Sequence, residues 1–249
     1  CELQRLSDAG FAEVVLVGIN LSAYGTDIGL SICDAVELAD RMNFRRVRLG
    51  SLEPDHITDE VIDRLAKLPS FCPQFHISLQ SGCNNTLKAM NRHYSAEEYF
   101  ELCQKLRASF PEATITTDIM VGFPTESEED FAENVRFAQK IGFEKVHVFP
   151  YSPREGTKAA KMPQIEKAIK EKRSHIMIEK TEEIRKIFLE SQIGKTVEVL
   201  FETRHSDGFA EGYTKNYTPV KVKGELPCGE ISRIKITAVD GDFCVGEKI

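Results

Sequence analysis

The feature that most constrains the fold is a repeated alternation of short apolar, β-branched runs with segments of helical periodicity. The runs are centred roughly 30–40 residues apart, which is about the length of one strand–helix–strand unit. They cover residues 13–18, 46–49, 74–79, 114–120 and 145–149. Apolar residues at helical spacing lie between them, at 30–42, 61–68, 100–110 and 131–141. Five such units predict a parallel sheet that is buried on both faces.

The C-terminal third changes its periodicity twice. Residues 163–193 are highly charged but keep apolar residues in helical phase, which predicts an amphipathic helix leading out of the sheet domain. From residue 195 the period becomes two, and glycines separate five short strand candidates at 196–202, 209–213, 218–222, 232–238 and 242–245. This pattern predicts a small OB-like β-barrel. The predicted domains are therefore 1–162, 163–193 and 194–249.

Charge, hydropathy and cysteine content limit the classes of function. The net charge of −7 argues against a protein that coats nucleic acid non-specifically. It leaves room for a local basic groove at 41–48 or 158–161, although ordinary solvated surface charge is the favoured interpretation of either run taken alone. No apolar run approaches the about 18–20 residues that span a bilayer. The seven cysteines are scattered without the spacing of a disulfide framework, a zinc site or an iron–sulfur site. A reducing cytoplasm is the predicted compartment.

Polar, glycine-containing loops follow the predicted strands. Examples are Gly18-Ile19-Asn20, Gly50-Ser51 and Gln80-Ser81-Gly82. In a parallel α/β sheet or barrel, ligands bind at the carboxyl ends of the strands, so these loops predict a pocket. The chain contains no GxSxG, HExxH or GxxxxGK[ST] motif, and its histidines lack paired ligand spacing. We therefore expect a ligand pocket with no catalytic residue and no metal ligand of its own.

The loops and strands together are similar to a known motif series. The segments LVGINLSAYG, RVRLGSLEP, FCPQFHISLQSGCNNTLKAMNRHYS, ITTDIMVGFPTESEEDF and VHVFPYSPREGTKAA resemble, in this order, the radical S-adenosylmethionine methylthiotransferases. The tail segments GKTVEVLFE and GYTKNYTPVKV resemble the TRAM RNA-binding module that ends these enzymes. The resemblance covers essentially the whole chain. The segments at 51–54, 71–73 and 147–152 most resemble the threonylcarbamoyladenosine tRNA branch.

The resemblance implies an α/β fold, in which a partial (βα)6 radical-SAM barrel containing strands two to six is followed by the OB-like TRAM barrel. It implies that S-adenosylmethionine is cleaved at a [4Fe–4S] cluster, and that the resulting radical prepares C2 of a modified adenosine beside the anticodon for methylthiolation. The cluster cysteines of the family form a CxxxCxxC motif, which this sequence lacks. The chain, which begins at Cys1, is therefore expected to be an inactive fragment of a larger enzyme with two clusters.

The resemblance also implies which residues bind the cofactor. Asn20 is expected to hold the methionyl ammonium, although Ile19 stands where the family commonly has Gln. Arg92 is expected to pair with the methionyl carboxylate, with an ordinary surface arginine as the alternative. Asp118 is expected on the adenine and ribose side, or instead as an acceptor for backbone N–H groups. The full predicted set for S-adenosylmethionine is Asn20, Ser51, Gln80, Arg92, Asp118 and Gly122.

The implied partner is a tRNA anticodon stem-loop, with a reductant such as flavodoxin. Tyr151 and Arg154 are expected to stack a flipped-out nucleotide and hold its phosphate. In the tail, the predicted RNA contacts are Lys215, Asn216 and Tyr217, whereas the two phenylalanines at 201 and 209 are expected in the barrel core. Alternatives are a non-catalytic RNA-binding scaffold, or a family member acting on another tRNA adenosine or a ribosomal protein. A missing first strand would leave 13–18 as a free edge that favours self-association.

Overall fold

The computed structural model describes residues 2–206 and 208–249, without the side chain of Ser22. Cys1, where the expected fragment begins, lies outside the described residues. Within that range, no helix is both long enough and apolar enough to cross a membrane.

A five-stranded parallel sheet forms the N-terminal part. Its strands are β1 (Glu13–Leu16), β2 (Arg46–Leu49), β3 (Gln74–His76), β4 (Thr114–Val121) and β5 (Lys145–Pro150). Parallel ladders join β1 to β2 and β3 to β4 to β5, and single bridges such as Leu52–Ile77 connect the two groups. The strands therefore follow one another in chain order, and the predicted partial radical-SAM barrel is confirmed.

Helices cover one face of this sheet. They are α1 (Glu2–Asp8), α2 (Ile32–Asp40), α3 (Asp59–Leu65), α4 (Asn84–Ala89), α5 (Ala96–Ser109), α6 (Glu128–Ile141) and α7 (Lys167–Glu190). Capping boxes begin α5 at Ser95 and α6 at Ser127, because each serine accepts a hydrogen bond that the first helical turn leaves open. The long charged segment forms one unbroken helix, α7.

Alternate residues along β4 point to the two opposite faces of the sheet. Ile115, Ile119 and Val121 are buried in the main hydrophobic core together with side chains from the helices. The alternate residues Thr116, Asp118 and Met120 are only half-buried, because successive side chains point to opposite faces of a strand. The prediction of a sheet buried on both faces is therefore wrong, because the face without helices is only partly covered and ligands have access there.

The C-terminal part is a closed five-stranded barrel. Its strands are β6 (Thr196–Arg204), β7 (Phe209–Thr214), β8 (Pro219–Lys223), β9 (Ile231–Asp240) and β10 (Phe243–Lys248), in the spatial order β10-β8-β7-β6-β9. Phe201 is fully buried in its core, as expected, and Phe209 is half-buried. The predicted small all-β barrel is confirmed.

Candidate functional site

A cavity of about 590 Å³ lies at the carboxyl ends of the first strands. Its walls come from residues 18–21 after β1, residues 51–56 after β2 and the segment 90–94 after α4. We call it the first cavity. It brings together three residues of the predicted cofactor site, Asn20, Ser51 and Arg92, which lie far apart in the sequence. Its lining is rich in amide, hydroxyl and charged groups, which suits a polar ligand.

Arg92 is oriented by a carboxylate. Its Nη1 lies 2.9 Å from Oε2 of Glu53, in the loop after β2. Nearby, the hydroxyl of Tyr94 donates to the backbone oxygens of Ser78 and Leu79, at 2.8 and 3.0 Å, and so ties the 90–94 segment to the end of β3. Burial raises the pKa of Tyr94, which keeps this hydroxyl protonated as a donor. Arg92 thus pairs with Glu53 at the wall of the first cavity, and its contact with a cofactor stays a prediction.

A second cavity of about 560 Å³ adjoins the first and shares Met90, Asn91 and Arg92 with it. We call it the second cavity. Its lining comes from the ends of β3, β4 and β5 and the following loop. The residues of interest combine apolar and cationic groups: Gln80, Arg92, Met120, Phe123, Phe149, Tyr151, Arg154 and Lys158. The cavity therefore places Gln80, Tyr151 and Arg154 of the predicted set around one space.

Two non-glycine residues of this lining have left-handed backbone conformations. The φ angles of Gln80 and Asn91 are +66° and +60°. Such conformations are uncommon for side-chain-bearing residues and concentrate at functional sites. For Gln80 the cause is visible, because its N–H donates to the oxygen of Asp118 and its oxygen accepts from Met120, both at 2.9 Å. Strand β4 thus fixes the backbone of Gln80 at the cavity wall.

Tyr151 carries an unsatisfied polar group at the second cavity. Its side chain packs against Phe123 in an edge-on arrangement, with ring centroids 5.2 Å apart. The residue is only 9% exposed, and its hydroxyl has no hydrogen-bond partner within the described part of the chain. A buried hydroxyl without a partner costs about 1–3 kcal/mol. No group within the described part of the chain offsets this cost.

Asp118 and Gly122 line neither cavity. Oδ2 of Asp118 lies 3.5 Å from Nε2 of His76, and the interaction with His76 lowers the pKa of this carboxyl group. The N–H of Gly122 donates to the Glu126 carboxylate at 2.6 Å, while a Cβ at this glycine would overlap Lys170 of α7. The structure gives both residues other partners, and their contact with a cofactor stays a prediction.

The predicted RNA-binding turn of the barrel lies at the amino ends of the sheet strands, away from both cavities. Nζ of Lys215 donates to the oxygen of Pro69 at 2.6 Å, and Nδ2 of Asn216 donates to the oxygen of Glu112 at 2.8 Å. The ring of Tyr217 packs under the guanidinium of Arg48, 4.5 Å from its centroid. These three residues dock the barrel onto the sheet domain, and their contact with RNA stays a prediction.

Two arginines from the first basic run complete this docking surface. Arg46 is 1% exposed and donates to the oxygens of Tyr213 and Glu198, at 2.8 and 2.9 Å. Arg48 is 3% exposed and forms two hydrogen bonds with Glu13, at 3.0 and 3.2 Å. Because both guanidinium groups are buried, the 41–48 run does not offer them to a nucleic acid.

The described residues offer no donor set for a metal. Among them, no group of three or more His, Cys, Asp or Glu side chains is placed to hold a metal ion. Six described cysteines are free, and five of these are buried. Burial raises the pKa of Cys72 and of Cys83 to about 11, which disfavours the thiolate that binds iron. The described residues therefore contain no set of side chains suited to hold an iron–sulfur cluster.

The apolar residues of the second cavity are not among the site residues predicted from the sequence. Met120, Phe123 and Phe149 received no role, although residue parity held the signal for two of them. Met120 lies two residues after Asp118 on β4, and Phe149 is its register partner on β5, so both face the side without helices. Glu53 was part of a recognised loop, but no local pattern indicated that it pairs with Arg92.

Comparison with known protein families accounts for both parts of the fold. Residues 190–249 match the family model of the TRAM domain. Residues 2–138, more than half of the chain, match that of the Radical SAM superfamily. This chain belongs to the radical SAM superfamily.

Curated relatives are similar to this chain over nearly all of its length. The chain is 35% identical over 246 residues to the threonylcarbamoyladenosine tRNA methylthiotransferase MtaB of Bacillus subtilis, covering 94% of this chain and 54% of the relative. It is 36% identical over 258 residues to the tRNA-2-methylthio-N(6)-dimethylallyladenosine synthase of a Thermoanaerobacter species, covering 100% and 54%. The radical SAM chain thus spans about half the length of these relatives, and the two identities do not separate the branches.

Solved structures agree on the fold. Coproporphyrinogen III oxidase (HemN) from Escherichia coli superposes with a TM-score of 0.53 at 12% identity, covering 86% of this chain and 58% of that one. The archaeal Elp3 from Methanocaldococcus infernus gives a TM-score of 0.50 at 14% identity, covering 91% and 77%. At these identities the likeness concerns the fold alone.

Proposed function

We propose that the protein containing this chain is a tRNA methylthiotransferase that attaches a methylthio group to C2 of N6-threonylcarbamoyladenosine beside the anticodon. In this proposal the chain binds S-adenosylmethionine in the first cavity and the target nucleotide in the second. Support comes from the family membership and from two adjoining cavities at the carboxyl ends of the strands, where parallel α/β enzymes bind their ligands.

S-adenosylmethionine fits the residues of the first cavity. A volume of about 590 Å³ is within the range of small-molecule sites. The side-chain oxygen of Asn20 is suited to accept from an ammonium, Arg92 to pair with a carboxylate, and Ser51 to hydrogen-bond a ribose hydroxyl. Gln80 lies on the second-cavity side of the shared wall. When bound, S-adenosylmethionine supplies the radical chemistry of the superfamily.

The single observation that carries the choice of substrate is the polar end of the second cavity. A threonylcarbamoyl group ends in a carboxylate, whereas a dimethylallyl group is a hydrocarbon. Arg154 is exposed at this cavity, and no hydrogen bond or ion pair engages its side chain within the described residues. Tyr151, whose buried hydroxyl has no partner within the described residues, lines the same cavity. An arginine and an unpartnered hydroxyl favour the acidic substituent.

One observation favours dimethylallyladenosine as a second candidate substrate. Met120, Phe123 and Phe149 give the same cavity an apolar wall, which is also suited to the dimethylallyl substituent. Aromatic side chains can stack on the adenine ring of either substrate, so this wall alone does not distinguish threonylcarbamoyladenosine from dimethylallyladenosine. The two substrates differ at the Arg154 end.

The test uses the complete gene product, reconstituted with iron and sulfide and supplied with a reductant and S-adenosylmethionine. Anticodon stem-loops carrying threonylcarbamoyladenosine or dimethylallyladenosine are compared, and 2-methylthio nucleosides are measured by liquid chromatography and mass spectrometry. We expect product from the first RNA, and Arg154→Gln should lower kcat/KM for it at least about tenfold, since a charge-assisted contact is lost. Preferential modification of the second RNA would contradict the substrate choice, and no product from either would contradict the activity.

The remaining expectations also stay proposals. We infer that the enzyme works in the cytoplasm, on the anticodon stem-loop of tRNA, with an external reductant such as flavodoxin. Self-association is proposed through β1, which pairs only with β2 among the described strands and leaves Val15 and Val17 46% and 73% exposed. Light scattering at high concentration tests this, because a monodisperse monomer would contradict it.

A further inference from the structure

One stretch of this acidic chain is strongly basic. Residues 152–175 contain seven Lys or Arg and three Glu, a net charge of +4, whereas the whole chain has a net charge of −7. The stretch begins after β5 at the second cavity, passes through a short 3-10 turn at Ala159–Lys161 and enters α7. We call Arg154, Lys158, Lys161 and Lys167 the basic strip.

The side chains of the strip are exposed and almost unengaged. Within the described residues, no hydrogen bond or ion pair engages the side chains of Arg154, Lys158 and Lys161, and Lys167 has only an exposed pair with Glu171 at 3.5 Å. An exposed ion pair of this kind contributes little to stability. This contrasts with Arg46 and Arg48 of the other basic run, which are buried in the docking surface.

The start of α7 differs from the starts of three other helices. Helices α3, α5 and α6 carry two or three acidic residues in their first turns, which suits the positive end of a helix dipole. The first turn of α7 has no acidic residue and begins at Lys167, and Glu166 stands at its N-cap without a side-chain cap hydrogen bond. Lys167 therefore extends the exposed cations of the strip onto the first turn of α7.

The strip is held beside the mouth of the second cavity. Lys158 itself lines that cavity. The Gln164 amide donates to the oxygens of Ala159 and Met162, both at 2.9 Å, which folds the linker before α7 against the 3-10 turn. Nζ of Lys170 then donates to the oxygen of Tyr151 at 3.1 Å, fixing the first turns of α7 to the cavity wall. The cations of the strip therefore begin at the proposed nucleotide site and continue away from it along the chain.

We propose that the basic strip binds the RNA backbone phosphates that continue from the nucleotide in the second cavity. This inference rests on the proposed function and deepens it, since it names the path of the substrate strand outside the cavity. Phosphate neutralisation by lysines supplies affinity without reading sequence, which fits an enzyme that positions one nucleotide by its modification.

The test measures binding of a fluorescein-labelled anticodon stem-loop to the 249-residue chain by anisotropy at several salt concentrations. The variant is Lys161→Gln with Lys167→Gln, since neither residue lines a cavity. The control is Arg45→Gln with Lys67→Gln, which removes the same charge at exposed sites elsewhere on the sheet domain. Each lost phosphate contact removes about 0.7 from the slope of log affinity against log salt. Two contacts thus predict an about tenfold weaker affinity near physiological salt.

Circular dichroism first establishes that both double variants are folded. Loss of affinity and a shallower salt dependence in the strip variant, with the control near wild type, is the predicted result. If wild type binds the RNA and both variants bind equally well or are equally weakened, the strip is not the path and the inference fails alone. If the wild-type chain binds no RNA at any salt concentration, the inference fails together with the proposed tRNA substrate.

Discussion

Arg46 holds the two parts of the molecule together, and replacing it by Met removes that connection while retaining an apolar stem. The guanidinium is 1% exposed and donates to two backbone oxygens of the barrel, those of Tyr213 and Glu198. It also lies 3.9 Å from the Glu13 carboxylate. Burial lowers the pKa of Arg46, but the group stays charged because arginine is protonated throughout the working range.

The loss of unfolding free energy in Arg46→Met can be worked out from these contacts. Each hydrogen bond from a charged donor contributes about 1.5–3 kcal/mol, and the substitution leaves two buried carbonyls without their donor. Part of this loss is offset, because a guanidinium no longer has to be removed from water. We therefore expect Arg46→Met to lower the free energy of unfolding by about 3 kcal/mol. For a urea dependence of about 3 kcal/mol per molar, the midpoint of the first transition falls by about 1 M.

Urea unfolding followed by far-UV circular dichroism measures this effect. The matched control is Arg45→Met, because Arg45 is the adjacent arginine in the sequence and its side chain is exposed. The control should change the free energy of unfolding by less than about 0.5 kcal/mol. Equal midpoints for the two variants would refute the view that Arg46 docks the barrel onto the sheet.

Three further predictions concern stability and reactivity. Gly122→Ala should lower the urea midpoint more than Gly142→Ala. Both glycines have positive φ, but only a Cβ at Gly122 meets Lys170. Equal losses in the two variants would contradict this packing argument. The hydrogen bond from Arg64 lowers the pKa of Asp34 from 3.8 to about 2. The ionised Asp34 carboxylate therefore stabilises the folded protein above about pH 4, and this stabilisation is lost as the pH falls toward 2. Urea midpoints across this window should fall less for Asp34→Asn than for wild type, and equal slopes would contradict the assignment. Iodoacetamide at mildly alkaline pH should label the exposed Cys228 quickly, as read by peptide mapping, whereas fast labelling would be unexpected at the buried Cys33, Cys72, Cys83, Cys103 and Cys244.

The elements of the fold were largely predictable because their signals are local. Strand β2 has the predicted bounds, and the other nine strands lie within three residues of theirs at either end. The starts of α5 and α6 carry a local signal, a serine followed by acidic residues, and capping boxes form there. Helix α4 was missed, since it has only six residues and Cys83 at its start makes no side-chain cap. A short helix without a capping signal resembles a loop in sequence.

The contacts between the two parts were not predictable, because their partners are distant along the chain. Arg46 and the Tyr213 oxygen are 167 residues apart, so the run around Arg46 resembled surface charge or a basic groove. The 215–217 turn carried the residue types of an RNA contact, yet it packs on the sheet domain. By contrast, Asn20 and Ser51 could be placed together from the sequence, since parallel strands end at one edge of the sheet.

The left-handed conformation of Gln80 had no signal in its residue type. Glutamine rarely adopts a positive φ, and here the ladder with β4 imposes it. The orphan hydroxyl of Tyr151 likewise depends on packing against Phe123, which joins the loops after two different strands. The composition of the second cavity therefore emerged from the tertiary structure.

The most direct test of the central claim is the nucleoside composition of tRNA from cells that lack the gene for this chain. Total tRNA is digested and the 2-methylthio derivatives of both modified adenosines are measured by mass spectrometry, with and without the restored wild-type gene. We predict that the methylthio derivative of threonylcarbamoyladenosine disappears and its unmethylthiolated precursor accumulates, and that the wild-type gene restores the methylthio derivative. An unchanged level of that derivative in the deletion strain would contradict the proposed function.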